Sequence, residues 1–294
     1  MNSRTLLLAF SSVFAACGGT DTAEKAPTLV IGGADAGATP ASLYQMPTPN
    51  ELFSLVHDLA GEGHKRMLNP ASNADRYVSL KARSFNFGVY STDLVYASSF
   101  RLNVEVARYY LATKKLAESL GITTAFTDND FVRLERNLTK GDSLEFISNQ
   151  GYLSAYEKLQ QERMGPTLAI VLAGGWVESM HLVMSQIEAF GKNDALMTRV
   201  AEQKVTLEHL LQLMNEYEGD ADVAELYKEL VTVRDIYDQV DVKRVAHEGL
   251  SASGRMVLGD DVRIELSEEK YNELVQAVDR LRTAWTAVED KTNA

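Results

Sequence analysis

The sequence predicts an all-α protein, a multi-helix bundle or short α-solenoid, and three observations predict it. From Asn50 to Ala294 only Pro70 and Pro166 remain of the chain's six prolines, so little interrupts helices. Apolar residues along this stretch recur at three- and four-residue spacing, the period of a half-buried helix. Two segments are apolar on every side, which marks helices buried all round. The composition is that of a globular chain, 45% hydrophobic and 24% charged over 294 residues, enough apolar material for a sizeable core. The formal charge of −12, from 41 acids against 29 bases, repels phosphate backbones and argues against nucleic-acid binding. One cysteine excludes a disulfide framework and any Cys-based zinc site.

Asn50 is a plausible N-cap for a first helix with Leu52, Leu55, Val56 and Leu59 on one face. A second stripe, Val106, Tyr109, Tyr110, Leu116 and Leu120, runs from Val104 to Leu120 and stops at Gly121, a natural residue just past a helix end. Thr127 and Asp130 form a capping box before Phe131-Val132-Arg133-Leu134. Asp142 opens a segment carrying Leu144, Ile147, Leu153, Tyr156 and Leu159. Pro166 precedes Thr167-Leu168-Ala169-Ile170-Val171-Leu172, where a first-turn proline is tolerated. Asn193 caps a stretch through Leu196, Val200, Leu207, Leu210, Leu211 and Met214, and an acidic junction from Glu216 to Asp222 leads into a helix ending at Val240. Ser267 caps the last helix, Glu268 to Glu289, with Leu274, Val278, Leu281 and Trp285 on its apolar face. One β-hairpin is expected near 256–266, with Met256-Val257-Leu258 and Val262–Leu266 flanking Gly259-Asp260-Asp261.

The N-terminus reads as an address. Arg4 and the short apolar run from Thr5 to Ala16 suit a signal peptide over residues 1–16, being too short to span a bilayer. Phe14-Ala15-Ala16-Cys17 resembles a bacterial lipobox, although Phe14 stands where Leu is usual. That resemblance implies cleavage before Cys17 and acylation of its sulfur, with palmitate-type chains holding the protein on a membrane at about 0.8 kcal/mol per buried CH₂. Residues 17–49 then read as lipidated cysteine and tether. They hold Pro27, Pro40, Pro47 and Pro49 among small residues, and a flexible chain of that length reaches roughly 30 Å. Thr28-Leu29-Val30-Ile31-Gly32-Gly33-Ala34-Asp35-Ala36-Gly37 imitates a dinucleotide loop, but Ala34 replaces the second required glycine and Thr39-Pro40 denies the following helix. Residues 50–294 form a single helical domain.

The two buried helices carry polar residues. Phe85–Ala97 contains Gly88, Tyr90 and Asp93; Ala169–Val183 contains Gly174, Trp176 and Glu178. The similar order suggests a weak internal duplication. Interior glycine costs about 1 kcal/mol against alanine, so close helix contact is the expected return. A buried carboxylate must be paired or hydrogen-bonded; candidate partners are Arg83, Asn86, Tyr90, Tyr96 and Arg101. Tyr90, Asp93, Trp176, Glu178 and His181 therefore form either a structural polar pair with its surroundings or a pocket between the helices. Tyr90, Tyr96, Tyr109 and Tyr110 read as core aromatics. Glu178 and His181 share the Glu-x-x-His spacing of di-iron bundles, but no second copy follows. No Gly-x-Ser-x-Gly elbow and no His-x-x-x-His occurs. No cofactor and no metal site is expected.

Leu68-Asn69-Pro70 with Asn73 and Tyr77, Phe85-Asn86-Phe87-Gly88-Val89-Tyr90 with Asp93-Leu94, and Leu172-Ala173-Gly174-Gly175-Trp176-Val177-Glu178 resemble a group of uncharacterised lipoproteins from Bacteroidota and related bacteria. The similarity runs from about Met46 to the end. It implies a helical, lipid-anchored protein of the bacterial cell envelope, on the outer membrane, and transfers no catalytic residue. The expected function is a non-enzymatic binding or scaffold module. The alternative is an envelope hydrolase or metal-dependent enzyme using Asp93 and Glu178 in an interhelical cleft. The expected partners are the membrane, through acyl chains on Cys17, and an unnamed protein or small molecule.

Overall fold

A computed structural model describes residues 29–31, 44–46, 52–53, 56–57, 62–123, 125–138, 140–187, 189–191, 194–246 and 260–289. Residues 1–16, Cys17, Asn50, Asn193 and the hairpin arm 256–258 lie outside them. The described part is an all-α bundle. Its helices are α1 (Leu80–Ser99), α2 (Asn103–Ser119), α3 (Asp128–Arg136), α4 (Gly141–Gln161), α5 (Gly165–Ser185), α6 (Asp194–Asn215), α7 (Ala221–Tyr237) and α8 (Glu268–Trp285). Short 3-10 turns at Lys65–Met67 and Ala71–Arg76 precede α1. Leu52, Phe53 and Val56 of the first expected helix are helical and buried.

Capping chemistry sets the boundaries. The Ser79 hydroxyl accepts from the Ala82 N–H at the start of α1. Thr127 and Asp130 make the reciprocal capping box of α3. Asp220, in the acidic junction, accepts from the N–H groups of Asp222 and Val223 and opens α7. Ser267 caps α8 through Lys270 N–H. Gly121 follows α2 with φ +78°, a conformation that favours glycine. The last helix ends at Trp285 rather than Glu289. Glu289 turns back and accepts from the backbone N–H groups of Val78 and Ser79 and from the Ser79 hydroxyl. The C-terminal segment is thereby tied to the start of α1.

The expected hairpin is corrected. Strand β4 (Asp260–Glu265) contains most of the second arm, but it pairs antiparallel with β3 (Asp241–Ala246), the residues after α7. Asp241–Ala246 offers a six-residue ladder ending on a charge at each end, longer than the three residues of the expected first arm. In the segment read as a tether, β1 (Leu29–Ile31) pairs antiparallel with β2 (Tyr44–Met46); the glycines of the dinucleotide-like motif lie outside the described residues.

Helices α1 and α5 form the centre. Almost every residue of each is buried, including polar Ser84, Asn86, Thr92, Asp93, Ser98 and Glu178. Helix α5 is long and apolar enough to cross a membrane, yet 94% of that stretch is buried inside the bundle. Helices α2 and α4 pack on α1, while α6, α7 and α8 gather on the α5 side. The two central helices run in the same direction: Phe85 and Gly88 meet Val171 to Gly175, and Tyr96 meets Gln186 just past the end of α5.

Their approach is set by glycine. A Cβ on Gly88 would lie 2.0 Å from the Val171 carbonyl oxygen, and one on Gly174 would lie 2.1 Å from the Phe85 carbonyl oxygen. The contact is reciprocal, each glycine receiving the other helix's backbone one turn back. Gly175 is different, with its nearest neighbour, Thr92 Oγ1, at 3.4 Å. Backbone cannot yield as a side-chain tip can, so Gly88→Ala or Gly174→Ala is expected to force the helices apart and cost about 3 kcal/mol. Gly175→Ala should stay within about 1 kcal/mol of wild type, helix propensity offsetting the tighter fit. Urea denaturation of the three variants checks the contrast, and equal losses would contradict it.

Candidate functional site

The polar residues of α1 and α5 meet where α8 crosses them. Glu178 is fully buried and Arg282 of α8 is 16% exposed at its side chain. Arg282 Nε donates to Glu178 Oε2 at 2.6 Å and Nη2 donates to Oε1 at 2.7 Å, a two-pronged pair. One turn along, His181 Nδ1 stands 2.9 Å from Asp279 Oδ1. Glu178 and His181 on α5 thus face Arg282 and Asp279 on α8 in reverse order, and the helices run antiparallel here. A slip of one residue would bring neither pair together, so the two fix the register of α8.

Asp93 completes the group. It is fully buried; its Oδ2 accepts from Asn69 N–H at 3.2 Å, while Oδ1 meets no donor among the described residues. The Asp93 and Glu178 carboxyls lie close enough for their charges to interact. Burial, then the neighbouring charge of Glu178, raises Asp93 well above the usual carboxylate range, with Arg282 opposing only in part. The guanidinium is bonded to Glu178 alone, so burial and the neighbouring acid both favour the neutral form of Asp93. For Arg282, burial works against the charge, but Glu178 beside it more than restores the guanidinium's preference for the proton.

Three tyrosines of the network also sit above their ordinary range, burial being the first cause: Tyr77, Tyr90 and Tyr109. They remain hydroxyl donors. Tyr90 donates to the Pro70 carbonyl at 2.6 Å, Tyr109 to the Asn69 carbonyl at 2.6 Å, and Tyr77 to the Thr286 carbonyl at 3.1 Å. The Met67 carbonyl is flanked by Arg282 Nη2 and His181 Nε2, both at 3.3 Å. His181 therefore has an acceptor beside each ring nitrogen. Tyr96 OH accepts from His64 N–H at 3.0 Å and from Gln186 Nε2 at 2.6 Å.

Of the residues singled out from the sequence, the structure brings Tyr90, Asp93, Glu178 and His181 into one network. Trp176 is buried, with its indole N–H unpartnered among the described residues, and it makes no bond to the acids. The expected partners of the acids are corrected. Asn86 bonds to the carbonyls of Ala82 and Trp285, Arg83 to the Tyr77 carbonyl, and Arg101 is exposed. The actual counter-ion, Arg282, comes from the far end of the chain. Its signal was a base at helical spacing within the apolar stripe of Val278, Leu281 and Trp285.

Chemically the arrangement is a closed clamp. Both acids are shut off from solvent; Glu178 is held by the Arg282 guanidinium, and one oxygen of Asp93 by the Asn69 N–H. No protein-family model, curated protein or solved structure matches the chain.

The two acids differ in what their loss removes. Asp93→Asn keeps a neutral acceptor for Asn69, so it should cost under about 1 kcal/mol at neutral pH. Glu178→Gln strands a buried cation; breaking such a pair costs about 3 to 5 kcal/mol, less whatever Asp93 recovers by ionising. The pH dependence follows from the raised Asp93. The folded state binds its proton more tightly, so this group's contribution falls as pH rises from about 4, the free aspartate value, toward the raised one. Asp93→Asn should remove that part of the slope. Chemical denaturation across pH reads both effects, and a large loss in Asp93→Asn with a small one in Glu178→Gln would refute the assignment.

Proposed function

We propose that this protein is a lipid-anchored module of the bacterial cell envelope that binds or scaffolds rather than catalyses. One observation carries the reading: Asp93 and Glu178, the acids best placed to act in a cleft between the central helices, are closed from solvent and hold structure. The acids fix α8 and the segment before α1, so their burial has a use without chemistry. The anchor rests on Ala15-Ala16-Cys17 after a short apolar run, and on the likeness of the body to Bacteroidota-type lipoproteins. Acyl chains at Cys17 would keep the acidic body at a membrane surface, facing the periplasm or the exterior, where a protein or small molecule is its ligand.

The reading is tested by expressing the full chain in a Gram-negative host fed an alkyne analogue of palmitate. The expected result is label on the wild type, none on Cys17→Ala, and accumulation of a longer precursor when the lipoprotein signal peptidase is inhibited. A mature protein without label, or one retaining Met1, would overturn the anchor. Catalysis at the acids would show instead as an activity lost in both Asp93→Asn and Glu178→Gln while both remain folded.

A further inference from the structure

The segment from His64 to Pro70 crosses the bundle as a strap, and what holds it is unusual. The residues on it that face out are His64, Lys65, Arg66 and Pro70, all exposed; only Leu68 and Asn69 are buried. The bundle grips its main chain. Tyr96 accepts from the His64 N–H, Arg282 and His181 donate to the Met67 carbonyl, and Asp93 accepts from the Asn69 N–H. Tyr109 and Tyr90 donate to the carbonyls of Asn69 and Pro70. These six side chains come from α1, α2, α5 and α8, so the rigid bundle supplies the donors and acceptors and the strap supplies peptide groups. His64 and Leu68 have extended backbone on either side of the single turn Lys65–Met67.

We propose that the cleft walled by α1, α2, α5 and α8 is a peptide-binding site, filled in this structure by the chain's own strap. Its ligand is an extended peptide read mainly through its backbone, with an aliphatic residue and then an amide residue at the positions of Leu68 and Asn69. The Asn69 side chain supports the second preference, donating to Tyr77 OH at 3.0 Å and to Asn86 Oδ1 at 3.4 Å. The strap contributes few side chains, Leu68 and Asn69 buried and Met67 partly so, while the cleft is built by helices that pack on one another. Segments with few buried side chains are the ones that open locally below the free energy of global unfolding. The inference rests on the binding reading above and names its ligand class.

The test uses the full chain purified in detergent and a fluorescein-labelled peptide of residues 62–73. In wild type the strap competes in cis, which lowers the apparent affinity by the fraction of time the cleft is free. The variant Leu68→Gly with Asn69→Gly weakens the strap and leaves the cleft intact. The expected result is that this variant binds the peptide at least about tenfold more tightly than wild type. N-methylation of the peptide at its Asn69 amide should abolish binding, and alanine at its Lys65 and Arg66 should not. Adding Tyr90→Phe and Tyr109→Phe, which keep the rings, should weaken binding again. A helical variant that takes up no peptide, or one indifferent to N-methylation, overturns the proposal while leaving the anchor to its own labelling test. If the variant loses its helical circular dichroism, hydrogen exchange of wild type decides. The amides of Leu68 and Asn69 should exchange at least about 100-fold faster than those of residues 170–180 in α5; equal protection would refute a displaceable strap.

Discussion

One ion pair in a dry interior governs this structure. Glu178 and Arg282 neutralise each other at hydrogen-bond distance, and everything polar nearby must accommodate a single charge of each sign. A second carboxyl, Asp93, is buried beside the first, and burial with the neighbouring charge favours its neutral form. The ion pair alone is weak evidence for stability, because desolvation offsets much of the attraction. Its effect is to specify: it joins the last helix to the centre of the bundle, fixes the register of α8 with the reversed His181–Asp279 pair, and points the remaining guanidinium hydrogens at the Met67 carbonyl.

The second constraint is distance. Gly88 and Gly174 let the two central helices touch backbone to backbone, and that proximity brings Asp93 and Glu178 close enough for their charges to interact. Larger residues at either glycine would separate the acids as well as the helices. Around this centre the buried tyrosines present rings to the core and hydroxyls to main-chain carbonyls: Tyr90 and Tyr109 to the strap, Tyr110 to Thr127 at the start of α3. Each of these buried aromatic residues thus also donates a hydrogen bond to a main-chain carbonyl.

Much of the helical plan was legible because it depends on local signals. The Thr127–Asp130 box, the Gly121 stop, the Ser267 cap and the apolar-all-round character of α1 and α5 act over one or two turns. The same two helices revealed their glycine contact and their acids for the same reason. What local reading missed was long-range. Arg282 lies 104 residues from Glu178, and nothing near either acid announces it. The hairpin differed similarly: the alternation of β4 was visible, but the partner it pairs with is Asp241–Ala246. The strap was missed because its residues look like ordinary loop; its main chain, which carries no sequence signal, makes the bonds.

The protonation of Asp93 tests the account most directly. Infrared difference spectra of the wild type against Asp93→Asn, or the carbon-13 shift of the Asp93 carboxyl, report it in the folded protein at neutral pH. The account predicts a carboxylic acid that persists well above the ordinary aspartate range and disappears only with unfolding. An ionised Asp93 in the folded protein would contradict it, since two anions would then share one guanidinium and the clamp would need a cation from solution.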